Sequence, residues 1–144
     1  MSPVLRSHFA EYARFHATKG NQACHYVAIP LIVLSVLVML AQLSLVPLGG
    51  YTVTAAEVVL IAITLYYLSL DWVLALLMLA ISAAMIVAGR PLGLWGGLAV
   101  FVFGWILQFV GHYLYEKKSP AFFQNLVHLL VGPLWVLAKA TGRA

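Results

Sequence analysis

The feature that most restricts this chain is the length of its uncharged stretches. No Asp, Glu, Lys or Arg lies between Lys19 and Glu57, between Asp71 and Arg90, between Arg90 and Glu116, or between Lys118 and Lys139. Only 8% of its 144 residues are charged and 64% are hydrophobic. A soluble domain carries about 25% charged residues. So few charges cannot cover a water-facing surface, and lipid must solvate most of the exterior. The length suits one all-α membrane domain over residues 1–144.

A helix needs about 20 apolar residues to cross roughly 30 Å of hydrocarbon. The first span is expected near 26–46, ended by Pro47 and Gly49-Gly50. The next apolar run, Thr52 to Ala88, would be about 55 Å long as one helix, too long for one crossing. It should fold back at Ser69-Leu70-Asp71, with Asp71 capping the following helix. That gives spans near 52–70 and 72–88, with Glu57 as an interfacial carboxylate. Gly89-Arg90-Pro91 breaks the chain again, and a fourth span is expected near 94–112. The last apolar run, Leu126–Ala138, contains Gly132-Pro133 and is too short to span. It is expected to be a re-entrant or interfacial helix. Ahead of the first span, Phe9, Tyr12 and Phe15 recur at near-helical spacing among Arg6, Arg14 and Lys19. That pattern predicts an N-terminal interfacial helix on the membrane, starting at Ser2-Pro3. The architecture is therefore about four transmembrane helices with one interfacial helix before them and one re-entrant or interfacial helix after them.

The net charge of +4 supports an orientation. With the N-terminus in the cytoplasm, four crossings place Arg6, Arg14, Lys19, Lys117, Lys118, Lys139 and Arg143 inside and only Arg90 outside. This positive-inside bias predicts that both termini are cytoplasmic, in a bacterial inner membrane or an endoplasmic reticulum. There is no clustered basic face, which argues against a nucleic-acid partner. The lone Cys24 excludes an internal disulfide and reads as a small apolar filler. The long apolar run reads as a retained span and not a cleaved signal.

This topology gathers the scarce polar residues at one membrane face. His16 and His25 flank the start of the first span, and His112 ends the fourth. Gln108 and Glu116 lie one turn either side of His112 on the same helix face. His128 begins the last apolar run, and only His8 stands apart. Ionisable groups at membrane depth are costly and usually functional. Imidazole and carboxylate donors together suit Fe, Zn, Cu or Ni, and two histidines plus a carboxylate suit ferrous oxygen chemistry. His16 and His25, nine apart, would point oppositely on one straight helix, so a break at Gly20-Asn21 is expected. Asn21 would cap the new helix or bond a ligand. No HExxH and no Gly-x-Ser-x-Gly occurs, which argues against a zincin protease and an α/β-hydrolase.

Two blocks carry a family resemblance. "FHATKGNQACHYVAIP" shows aromatic-His, Asn five residues later, His four later, then Pro. "WILQFVGHYLYEKKSPAFFQNLVHLLVGPLWVLAK" shows Trp-x-x-Gln-Phe-x-Gly-His, then Glu, Pro-Ala, Asn-Leu and Pro. The chain resembles the Mpo-like family of small membrane 2-hydroxy fatty-acid dioxygenases. Phe15 stands where that family commonly has Tyr. The resemblance implies an Fe(II)-dependent α-oxidation in which a 2-hydroxy long-chain fatty acid and O2 react within the lipid bilayer and the acid loses one carbon. It implies iron ligation by His16, His25 and His112, with His128 as a fourth ligand or an orienting partner. Glu116 would be a ligand, a proton acceptor or an orienting group. Asn21, Gln108 and Asn125 also fall on motif positions, as substrate-binding or orienting residues. The acyl tail would run along Phe101, Trp105 and Phe109. The rival readings are a haem-binding electron carrier, a non-enzymatic membrane scaffold or transporter, and a zinc-dependent lipid hydrolase.

Overall fold

A computed structural model describes all 144 residues. Pro3 occupies the first turn of α1 (Pro3–Arg14), and the Ser2 side chain accepts the Leu5 N–H. Both features suit a helix start, since proline's missing donor is not needed there. Leu5, Phe9 and Tyr12 fall on one face of α1. The stripe expected to lie on lipid is instead buried in the protein. It packs against Val131, Leu134, Trp135 and Ala138 of the last helix, α6 (His128–Ala140).

Between these elements run four longer helices. They are α2 (Lys19–Leu40), α3 (Ala55–Leu70), α4 (Trp72–Gly89) and α5 (Gly93–Val110), the last continuing as a π-helical turn over Gly111–Glu116. The stretch from Trp72 to Glu116 is helical almost throughout, but Arg90–Leu92 and Gly93, at φ 59°, reverse it. Gly89 therefore meets Leu34 and Val38 of α2, Gly97 meets Val38 and Met39, and Gly111 returns to Asn21 and Cys24. The helices alternate in direction. Both α1 and α6 sit at the end where α2 begins and α5 finishes. By length and composition, α2 and the Trp72–Glu116 stretch are apolar enough to cross a membrane, and α3 and α6 are shorter apolar helices. Their outer faces carry exposed Ile61, Leu65, Val87, Trp95 and Phe103.

Two boundaries differ from the sequence expectation. The first long helix starts at Lys19 and stops at Leu40, against an expected span near 26–46. A two-stranded antiparallel hairpin, β1 (Ser44–Leu48) and β2 (Tyr51–Thr54), then leads into α3. The fold is therefore helical with one small hairpin, not purely α. Gly49 and Gly50 both have positive φ, 51° and 88°, as a tight hairpin turn demands. The pair acts as a turn with β-branched partners Val46, Thr52 and Val53 beside it. Thr54 and Glu57 form a capping box at the start of α3, and Tyr51 donates to Glu57, so this carboxylate is a local structural group. Asp71 caps α4 through Val73 and Leu74 N–H. It also pairs with the Met1 amino group at 3.0 Å and Arg143 at 3.2 Å. Burial pushes the Asp71 carboxyl up, but those donors outweigh it and hold the group down at about 2.

The contact between α2 and α5 is the most extensive in the molecule. Gly97, Gly104 and Gly111, spaced seven apart, form its seam. A Cβ at Gly104 would lie 2.8 Å from Ile32 Cγ1 and 3.3 Å from the Ala28 carbonyl oxygen. Small residues let helix backbones approach where the surroundings are apolar. Gly104→Ala should therefore destabilise the protein by about 1–3 kcal/mol, the usual cost of overpacking. Thermal unfolding in detergent checks this. A Gly104→Ala protein that unfolds at the wild-type temperature would reject the seam.

Candidate metal centre

His25 sits two turns into α2, and His112 sits in the π-turn that ends α5, directly across the glycine seam. A π-turn inside a helix commonly marks a functional site. Here it closes with Lys117 in the left-handed conformation and the Lys118 N–H on the His112 carbonyl. His16 arrives from the linker between α1 and α2. The break that separates it from His25 lies at Phe15–Thr18, ahead of the expected Gly20-Asn21. Thr18 caps α2 by accepting the Asn21 N–H, so Asn21 is not the cap. Thr18 is a better cap because its side chain reaches the backbone while its own φ and ψ stay extended.

The three rings meet face to edge. Centroids are 4.3 Å apart for His16–His25, 4.9 Å for His16–His112 and 4.7 Å for His25–His112. One ligand nitrogen from each lies within 4.8 Å of the others, and all three residues are buried. His16 Nδ1 donates to the Tyr12 carbonyl at 2.7 Å, and His25 Nδ1 donates to the Asn21 carbonyl at 2.9 Å. A hydrogen on Nδ1 leaves the Nε2 lone pair free on both rings. Those Nε2 atoms are buried without partners, as are both nitrogens of His112. Tyr12 also stacks on His16, with centroids 3.9 Å apart, and Gln22 donates to the His16 carbonyl. Burial pushes His16 down to about 4, outweighing the hydrogen bond to the Tyr12 carbonyl, which raises it. At neutral pH it is an uncharged donor, the form a metal requires. Buried polar atoms without partners are rare and call for an unseen bonding partner. The residues therefore fit a metal ion, which His16, His25 and His112 could hold.

Glu116 stands beside this cluster, outside it. Its Oε1 accepts the Ala17 N–H at 3.1 Å. Its Oε2 accepts Thr18 N–H at 3.0 Å, Thr18 Oγ1–H at 2.9 Å and Asn21 Nδ2–H at 3.2 Å. The carboxylate thereby anchors the His16 linker to the π-turn. Asn21 Nδ2 also donates to the Phe15 carbonyl at 2.8 Å. His128, on α6, lies apart from the three-histidine cluster. Its Nε2 is 3.3 Å from Glu11 Oε2, within ion-pair range but without hydrogen-bond direction. Asn125 lies three residues earlier, where its Oδ1 accepts the Val127 N–H at the start of α6.

A cavity of about 60 Å³ opens against His16, His112, His128, Gln108 and Trp105. Beside it lies an apolar cavity of about 260 Å³, and the two share Ile32, Val33, Trp105, Leu129 and Pro133. Phe101 lines the larger one, but Phe109 lines neither. Tyr12, Thr18 and Gln22 escaped the sequence reading of the site. Tyr12 carries one clue, its position four residues before His16, which mirrors Asn21 before His25.

Glu116→Gln keeps the shape but turns an amide hydrogen toward donors. It should cost about 1–3 kcal/mol, as expected when hydrogen bonds to a charged group are spoiled. Metal content should fall together with stability, and limited proteolysis should newly cut near Thr18. Loss of metal at unchanged thermal stability would instead make Glu116 a direct ligand.

Residues 3–144 match the family described as 2-hydroxy-palmitic acid dioxygenase Mpo1-like. The 2-hydroxy-palmitic acid dioxygenase MPO1 of Saccharomyces cerevisiae is 32% identical over 127 residues, which covers 88% of this chain and 73% of that protein. No solved structure matches the chain. Family match and relative agree, and the chain belongs to the Mpo1-like family.

Proposed function

We propose that this protein is an Fe(II)-dependent dioxygenase that converts 2-hydroxy long-chain fatty acids to acids one carbon shorter. The observation that carries this reading is the buried His16–His25–His112 cluster with its unpartnered nitrogens. The named activity of the yeast relative supports the substrate class and the oxygenase chemistry. The reaction balances as one acid and one O2 giving the shorter acid, carbon dioxide and water. An iron ion held by the three histidines would supply the redox chemistry that O2 requires.

The chain's own residues account for the surroundings of that chemistry. The Tyr12 and Asn21 carbonyls fix the ring orientations of His16 and His25. Such partners set the tautomer and basicity of a ligating histidine. Glu116 holds the linker in place, which keeps His16 opposite His112. His128 lines the approach and is placed to orient a bound group more than to hold the metal. Gln108 faces the same small cavity as a substrate-binding residue, and Asn21 and Asn125 serve by positioning. The 260 Å³ apolar cavity offers the acyl tail a dry wall, next to the polar chamber.

His16→Ala, His25→Ala and His112→Ala should each lower bound iron to a small fraction of wild type in protein that still elutes as a folded species. Metal analysis of anaerobically purified protein checks this, with O2 uptake on adding 2-hydroxyhexadecanoic acid. Wild type should consume about one O2 per acid and release the acid one carbon shorter. Full iron occupancy in all three variants would reject the ligand set. Stoichiometric zinc with O2-independent turnover would favour a hydrolase, since three histidines with an open position also suit zinc.

We further propose that α2, α3, α4 and α5 each cross the bilayer, with both termini on the cytoplasmic side. Eighteen residues of α4 extend about 27 Å, close to the hydrocarbon thickness. Exposed Trp72 and Trp95 stand at opposite ends of the helix pair, where membrane-interface aromatics belong. Single cysteines at Gly50 and Gly142, in a Cys24→Ser background, should label from opposite sides of sealed vesicles. Labelling from one side would reject an odd number of crossings between them.

A further inference from the structure

Two unpartnered buried atoms lie on α5 outside the histidine cluster. They are the Trp105 indole N–H and the Gln108 Oε1. Trp105 and Gln108 are three residues apart, on one helix face. Both wall the small cavity that also touches His16 and His112. Trp105 walls the larger apolar cavity as well, so it stands at the junction between the polar and apolar chambers. Its ring is held edge-on against Phe122 at 5.3 Å and Phe101 at 6.0 Å, and tilted against Phe109 at 5.6 Å. A buried tryptophan N–H normally finds an acceptor, and leaving one unmade costs about 1–3 kcal/mol.

The two orphans are complementary. The indole can only donate, and the amide oxygen can only accept. A 2-hydroxy acid offers the matching pair on adjacent carbons: carboxylate oxygens that accept and a hydroxyl that donates. An acid without the 2-hydroxyl offers acceptors alone and would leave the Gln108 oxygen unsatisfied. We propose that Trp105 and Gln108 read the head of the acid. The Trp105 N–H donates to a carboxylate oxygen, Gln108 Oε1 accepts the 2-hydroxyl, and the tail enters the 260 Å³ cavity. Gln108 thereby becomes the residue that discriminates 2-hydroxy acids from plain ones, and Trp105 the residue that holds any long-chain acid. This inference rests on the acid-binding reading above.

The test is equilibrium binding of radiolabelled 2-hydroxyhexadecanoic and hexadecanoic acids to the full-length protein in detergent. Wild type should prefer the 2-hydroxy acid on the order of tenfold, the worth of one hydrogen bond left unmade. Trp105→Phe should weaken both acids by a similar factor and leave their ratio unchanged. Gln108→Met should bring the ratio close to one while binding of the plain acid holds. A merely structural role would not alter a ratio between two ligands that differ by one hydroxyl. On wild type itself, 2-methoxyhexadecanoic acid, which cannot donate, should bind like the plain acid; this measurement stands even where Gln108→Met does not fold. A Gln108→Met protein that keeps the full preference, a Trp105→Phe protein that binds both acids like wild type, or a methoxy acid that binds as tightly as the hydroxy acid would overturn the inference. Wild type that binds neither acid would overturn the acid-binding reading along with it.

Discussion

The close approach of α2 and α5 is the constraint on which the site depends. Gly97, Gly104 and Gly111 remove the side chains that would hold the two helices apart. At the last of these, a Cβ would lie 2.5 Å from Asn21 Oδ1 and 3.3 Å from His25 Nδ1. His112 is the next residue, so the same absence of a side chain lets the His25 and His112 rings meet at 4.7 Å. Hydrophobic association contributes little between helices that lie in lipid, and fit between their surfaces has to supply the specificity. The seam of the scaffold and the floor of the site are one surface.

The third histidine is brought in by a different force. His16 lies on a linker with no seam of its own, and the Glu116 carboxylate gathers that linker through three N–H groups and one hydroxyl. Bonds to a charged acceptor are among the stronger ones, and stronger still away from water. Packing behind the linker is aromatic, with Tyr12 stacked on His16 and Trp135 against Tyr12. The core of α1, α6 and α4 therefore supports the histidine cluster from behind, and α5 faces it from the front. The dry surroundings that hold His16 neutral also leave its free nitrogen available to a metal.

Much of the framework was legible in the residues. Charge spacing separated the helices, Asp71 marked the turn between α3 and α4, and Ser2-Pro3 marked the start of α1. These signals are local and act through caps and breaks a few residues long. Gly49-Gly50 was read as a stop to a helix, but it turns a hairpin, because β pairing depends on a partner strand that no local signal specifies. The amphipathic face of α1 was assigned to lipid, but α6 covers it. Apolar periodicity says that a face is buried and does not say against what.

The sequence by itself determined which residues could meet: histidines at the ends of two apolar runs, with a carboxylate one turn from one of them. Those positions follow from the spacing of charges and helix breakers along the chain, which marks where its apolar helices begin and end. Only the tertiary structure decided how they meet. It made Glu116 an anchor for the linker, set His128 to one side near Glu11, and left the Trp105 and Gln108 atoms without partners. Those outcomes depend on ångström-scale distances between helices, fixed by side chains remote in sequence, and no spacing along the chain encodes them.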